Sequence, residues 1–227
     1  MWHPIAPVFP VQPEAQSTTV KYILSYNRYL KMTGYRTILA DPPWRYDNVR
    51  TGGSLKSGAA SQYPTMTVDE VKQIPVRDIC DRDAALFLWV TTPLKNKAIQ
   101  VIDAWGFEYV TTMYWLKITK DGRPFNGIGF NARNCMEECL YARRGKVKPL
   151  YIQKPNVIIA RPGPHSQKPD ALYEFIEPAL ATQHLDPKIE LFARRQRTGW
   201  DAWGNEIVES PPLFIGTRFA LPRHQEI

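Results

Sequence analysis

Residues 84–90 read AALFLWV, seven apolar side chains in unbroken succession. A strand with one wet face alternates apolar and polar residues. A continuous run needs cover on both faces, as when helices sandwich a parallel sheet. Similar short runs recur at 36–41 (RTILAD), 156–160 (NVIIA) and 188–193 (KIELFA). Helical signals lie between them. Thr67 with Glu70 forms a capping box that opens a helix through about Ile74. A helical stretch covers about 94–104, and Pro169 suits the first turn of a helix over 169–181. An alternating strand runs over 109–118, and a further strand over 138–143. This order predicts an α/β fold with a largely parallel central sheet and flanking helices.

The 227 residues suit one domain, with no internal repeat. The expected organisation is an N-terminal arm over 1–35, a domain over 36–207 and a C-terminal tail over 208–227. Pro4, Pro7, Pro10 and Pro13 make the arm extended, and Pro211, Pro212 and Pro222 make the tail a surface extension. Residues 45–62, rich in Gly, Ser and Ala and carrying Arg45, Arg50 and Lys56, read as a gate loop that orders on substrate binding. Three cysteines form no disulfide framework, and with His3, His165, His184 and His224 they form no zinc pattern. Residues 1–13 lack the basic start of a signal peptide. No apolar run approaches the roughly 18–20 residues of a membrane span. A cytoplasmic location is expected.

The run Asp41-Pro42-Pro43-Trp44 concentrates chemistry at a strand end. Ligands of open α/β sheets bind beyond the carboxyl ends of the strands, where Asp41 falls. The two prolines fix φ and remove two backbone donors, leaving carbonyls free to accept. An exocyclic amine on a nucleobase has two N–H donors, and the Asp41 carboxylate and the Pro42 carbonyl can each take one. Those bonds favour a pyramidal nitrogen whose lone pair can attack an electrophile. Trp44, with Tyr46, can stack on the base. The competing interpretation of the four residues is a strand ending in a proline turn with an Asp cap.

The charge is regional. The chain has 29 Lys+Arg against 22 Asp+Glu, a net +7. Residues 117–168 carry eleven basic residues against Asp121, Glu137 and Glu138, so that window is +8 and the remainder is −1. This suggests a polyanion-binding face. Arg143, Arg144 and Lys146 sit in the densest basic loop and, with Lys117 and Arg133, are the expected phosphate contacts. Gly127-Ile128-Gly129 lies in a basic loop rather than a strand-to-helix turn, which argues against nicotinamide chemistry.

The run Ala40-Asp41-Pro42-Pro43-Trp44 resembles motif IV of amino-methyltransferases, in the form used by the MT-A70 family of adenine N6-methyltransferases. Further segments match in the family's order. Tyr63-Pro64-Thr65-Met66 resembles the end of its gate loop, and Phe87-Leu88-Trp89-Val90 its second core strand. Tyr114-Trp115-Leu116-Lys117 and Glu137-Glu138-Cys139-Leu140 resemble its central strands. His165-Ser166-Gln167-Lys168-Pro169 resembles its Lys-Pro segment. Glu190-Leu191-Phe192-Ala193-Arg194, Gly199-Trp200 and Trp203-Gly204-Asn205-Glu206 resemble its C-terminal cofactor-binding stretch. The matches cover roughly 36–207.

The resemblance implies a Rossmann-like methyltransferase fold with S-adenosylmethionine as methyl donor. It places Lys168 against the methionine carboxylate, and Asp41 near the ammonium as well as the target amine. It places Glu190, Leu191 and Arg194 on the ribose side, and Asn205 and Glu206 near adenine and ribose. Gln196-Arg197 stands where family members often have His-Asn, so both positions depart from the pattern, and Gln196 keeps a side chain able to hydrogen-bond the cofactor. The implied activity is adenine N6-methylation of nucleic acid. DNA is favoured over RNA, because the chain is compact in the style of a bacterial or phage modification enzyme. RNA adenine methylation, cytosine N4-methylation and a catalytically silent nucleic-acid-binding partner of a methyltransferase pair stay open. So does a homodimer or a methyltransferase-like partner. No metal and no membrane is implied.

Overall fold

The computed structural model describes residues 34–46, 65–127, 129, 131–163, 167–208, 210–214 and 217–219. The arm before Gly34, residues 47–62 of the expected gate loop with Tyr63 and Pro64 after it, His165 and the last residues of the tail lie outside them. Seven strands form one sheet: β1 (Tyr35–Ala40), β2 (Cys80–Val90), β3 (Glu108–Lys117), β4 (Met136–Arg144), β5 (Val157–Ala160), β6 (Lys188–Leu191) and β7 (Asp201–Trp203). Their order is β5-β3-β4-β2-β1-β6-β7. All neighbours run parallel except β4, which is antiparallel to both β2 and β3. The flanking helices are α1 (Val68–Lys72), α2 (Lys95–Ala104) and α3 (Ala171–Thr182). This is the expected α/β Rossmann-like arrangement, and no helix among the described residues is long and apolar enough to cross a membrane.

The unbroken run of β2 is explained by its two covers. Leu86, Leu88 and Val90 enter one core with Ile38, Leu140, Val71 of α1 and Val101 and Ile102 of α2. Ala85, Phe87 and Trp89 enter the other, with Leu39, Trp115, Cys139 and Leu172, Ile176 and Leu180 of α3. Each such fully buried large side chain contributes roughly 1.5–3 kcal/mol from water exclusion. The predicted capping box forms at α1: Glu70 N–H donates to Thr67 Oγ1 at 3.2 Å and Thr67 N–H to Glu70 Oε2 at 2.7 Å.

The expectation of a surface tail needs correction. Leu213 and Phe214 are 3% and 7% exposed and belong to the first core. Phe214 meets Trp203 edge-on, with ring centroids 5.1 Å apart. Ser210 Oγ bonds the Gly204 N–H and the Ala202 carbonyl. Apolar Leu213-Phe214 beyond Pro212 thus closes the α1–α2 side of the sheet.

Candidate active site

The parallel strands send Asp41 after β1, Thr91 after β2, Lys117 at the end of β3, Phe192 after β6 and Gly204 after β7 to one edge of the sheet. The reversed β4 begins there, with Glu138 opposite Val90. Asp41 leaves β1 with its N–H on the Leu191 carbonyl at 3.4 Å. The prolines tie the exit down through their carbonyls. Trp44 N–H donates to Pro42 O and Met66 N–H to Pro43 O, both at 2.8 Å. A carbonyl has two lone pairs, and among the described residues Pro42 O accepts this one hydrogen bond.

Asp41 does not stand alone. Lys168 Nζ lies 2.7 Å from Asp41 Oδ2 and 3.4 Å from Glu137 Oε2. Glu137 Oε1 in turn accepts from Lys117. Four charges of alternating sign therefore run in line, Asp41–Lys168–Glu137–Lys117, over a floor of indoles. Lys168 sits 5.6 Å from the Trp89 ring and Lys117 4.7 Å from the Trp115 ring. Burial alone would raise the Glu137 pKa, but Lys168 and Lys117 override it and hold the carboxyl below its ordinary range. Burial would lower the Lys168 pKa, and the Asp41 and Glu137 carboxylates override that, so the ammonium is held above its ordinary value.

Trp44 is not the open face expected of it. It is 6% exposed, lies in the first core and donates its indole N–H to the Trp89 carbonyl at 2.9 Å. Tyr46 is 38% exposed, and its hydroxyl bonds Thr91 Oγ1.

The proposed cofactor residues divide. Glu190 is held by Tyr173, whose hydroxyl donates to Glu190 Oε2 at 2.6 Å. Burial pushes the Glu190 pKa up, with the Asp41 charge adding to it. Leu191 is fully buried, so only its backbone can face this edge. Arg194 Nε is 3.9 Å from Glu206 Oε1. Asn205 and Glu206 are exposed in the turn that follows β7. Gly204 lets this turn approach the chain leaving β6: a Cβ there would stand 2.0 Å from the Ala193 carbonyl oxygen. Gln196 is not brought to this edge. It donates to the Trp200 carbonyl at 2.8 Å and lines, with Arg36, Asp186, Lys188 and Asp201, a cleft at the opposite edge. The reason is topological: the chain must return there to start a parallel β7.

The basic window divides for the same kind of reason. Lys117 and Arg133 flank the β3–β4 connection on the Asp41 edge. Arg144 pairs with Ala84 whereas Glu138 pairs with Val90, so Arg143, Arg144 and Lys146 lie about 20 Å away along β4. The structure does not group them with the site. Arg143 bonds the Val147 carbonyl, Arg144 the Cys80 sulfur and the Lys146 N–H the Asp83 carboxylate.

Glu137, Thr91 and Tyr173 belong to the site without having been assigned to it. A signal for Glu137 existed: glutamate is almost never buried in a strand unless paired, and cations dominate this window.

The donor set suits the implied cofactor. A half-buried ammonium (Lys168) suits a carboxylate, Asp41 suits an ammonium, and Asn205 with Glu206 offer amide and carboxylate groups for ring nitrogens and hydroxyls. The fold and this carboxyl edge define a Rossmann-like α/β methyltransferase. The MT-A70 family model matches residues 35–206. Similar proteins include the Type II methyltransferase M.MunI of Mycoplasma sp, 33% identical and aligned over 78% of this chain and 79% of that protein. The N6-methyladenosine RNA methyltransferase MTA1 of Pyricularia oryzae is 27% identical, over 77% of this chain and 47% of its own. The N(6)-adenine-specific methyltransferase METTL4 of Mus musculus is 28% identical, over 77% and 38%. The chain belongs to the MT-A70 family of adenine N6-methyltransferases.

Proposed function

We propose that the chain transfers a methyl group from S-adenosylmethionine to the 6-amino group of adenine in nucleic acid, with DNA favoured. The observation that carries this reading is Asp41, fixed at the sheet's carboxyl edge by Lys168 and followed directly by the Pro42 carbonyl. Asp41 and Pro42 O each accept one N–H of the amine and aim its lone pair. Lys168 holds Asp41 in place, and Glu137 with Lys117 holds Lys168. S-adenosylmethionine, when bound, supplies an electrophilic methyl on a sulfonium; Lys168, Glu190, Arg194, Asn205 and Glu206 are the residues that would hold it. With that donor bound, the amine held by Asp41 and Pro42 O would take the methyl as the sulfonium S–C bond broke, and the amine's extra proton would leave to solvent. The protein contributes position and preorganised acceptors rather than a strong base.

DNA is favoured on the likeness to the Type II methyltransferase M.MunI, 33% identical against 27% for the relative named for RNA. The exposed Arg133 and neighbouring cations of the β3–β4 connection supply phosphate contacts on the same edge. The deciding experiment is transfer of labelled methyl to mixed DNA and RNA pools, followed by nucleoside mass spectrometry. Label in N6-methyldeoxyadenosine supports the reading. Label confined to RNA corrects the polymer, label in N4-methylcytosine corrects the base, and cofactor binding without transfer refutes the activity.

A further inference from the structure

Trp44 and Tyr46 leave β1 two residues apart and meet different surroundings. Trp44 is packed in the core with its N–H committed to Trp89 O. Turning its ring toward a ligand would break that bond and empty the core around it. Tyr46, by contrast, keeps open surface and is 38% exposed. Its hydroxyl is tied to Thr91, the first residue after β2. Because β1 and β2 are parallel neighbours, with Ala40 beside Leu88, Thr91 and Asp41 share the same edge.

A tyrosine ring turns about two torsions. A bond at its far end removes most of that freedom while the residue stays 38% exposed, so a stacking partner pays little ordering entropy. Burial raises the phenol pKa, and the Glu137 and Asp41 charges add to it. The hydroxyl therefore stays protonated at neutral pH and the tie to Thr91 persists.

We infer that Tyr46, oriented by Thr91, is the face on which the target nucleobase stacks, in place of Trp44. This rests on the methyl-transfer reading above and specifies its base pocket. Thr91 is a positioning residue that acts through Tyr46.

The test compares wild type with Tyr46→Ala, Tyr46→Phe, Thr91→Val and Thr91→Ser. Methyl transfer to mixed-sequence oligonucleotide pools gives KM and kcat, and calorimetry gives the Kd for S-adenosylmethionine. Loss of a stacked base predicts a KM for the pool raised about 5- to 150-fold in Tyr46→Ala. Tyr46→Phe keeps the ring and should stay within about threefold. Thr91→Val should raise KM a few-fold with kcat kept, and Thr91→Ser should restore it, since the hydroxyl rather than the methyl matters. Cofactor Kd should stay within about twofold throughout. A wild-type KM in Tyr46→Ala, or a parallel loss of cofactor affinity, overturns the inference alone. A wild-type chain that methylates no pool overturns the underlying reading and this one with it.

Discussion

Glu137→Gln interrogates the charge chain at its middle. Glu137 lies between Lys168 and Lys117, with side-chain exposures of 12%, 16% and 17% respectively. Removing one partner of a buried pair costs about 3–5 kcal/mol. Here the loss is reduced, because Lys168 keeps Asp41 at 2.7 Å and glutamine keeps the volume and one acceptor. We expect about 2 kcal/mol at pH 7. The pH dependence separates charge from packing. The two lysines hold folded Glu137 below its ordinary value of 4.5, to which it returns on unfolding. As pH falls, the unfolded chain takes up this proton first. The stabilisation is therefore full above the unfolded value and drains away as pH falls through the folded one. Lys168 behaves oppositely. Its pKa is held above 10.5, so its stabilisation is full below that value and is lost only as alkaline pH passes the folded one. Urea unfolding followed by tryptophan fluorescence, at pH 7 and at steps below 4.5, measures the gap between wild type and variant. The gap should be widest at pH 7 and should narrow steadily with acid. A gap under about 0.5 kcal/mol at pH 7, or one that stays constant into acid, refutes the reasoning.

Asp41→Ala should lower kcat at least about 100-fold by removing a preorganised acceptor, while the side chain's 25% exposure keeps the fold intact; undiminished transfer by a well-folded variant sinks this role. Phe214→Ala should cost about 3 kcal/mol in denaturant unfolding, because it empties a site beside Trp203, whereas a tail lying on the surface would lose almost nothing. Arg133→Ala should reduce the slope of log Kd against log salt for oligonucleotides by about one, and Lys146→Ala, at the far edge of the sheet, should leave that slope unchanged; equal slopes in the two variants would contradict the division of the basic window.

Much of the fold was legible because burial on two faces writes itself into composition. The run at 84–90 required cover from both sides, and Leu86, Leu88 and Val90 on one face with Ala85, Phe87 and Trp89 on the other supply the reason. The Thr67–Glu70 box marked a helix start because its chemistry is local. β7 escaped notice because Asp201–Trp203 is three residues long, too short for any period. The fate of Trp44 was invisible for a different reason. Whether an indole faces core or ligand depends on the Trp89 carbonyl, 45 positions along the chain.

The direction of β4 is the single fact that most alters the picture of the site. Periodicity identifies a strand but not which way it runs. A parallel neighbour needs a crossover, usually a helix. The β3–β4 connection contains Gly122, Pro124, Gly127 and Gly129 and no helical pattern, so an antiparallel return was implied by what that segment lacks. The reversal has two consequences. It brings the first residues of β4 to the Asp41 edge, which places Glu137 beside Lys168. It also carries Arg143 and Arg144 to the other edge. A cluster of positive charge contiguous in sequence thereby becomes two clusters in space, and only Lys117, Arg133 and Lys168 of those discussed remain with the acid. Charge in a linear window predicts a binding face only where the strand order keeps the window together. Here β4 divides it, and the same reversal supplies the buried glutamate that holds Lys168 against Asp41.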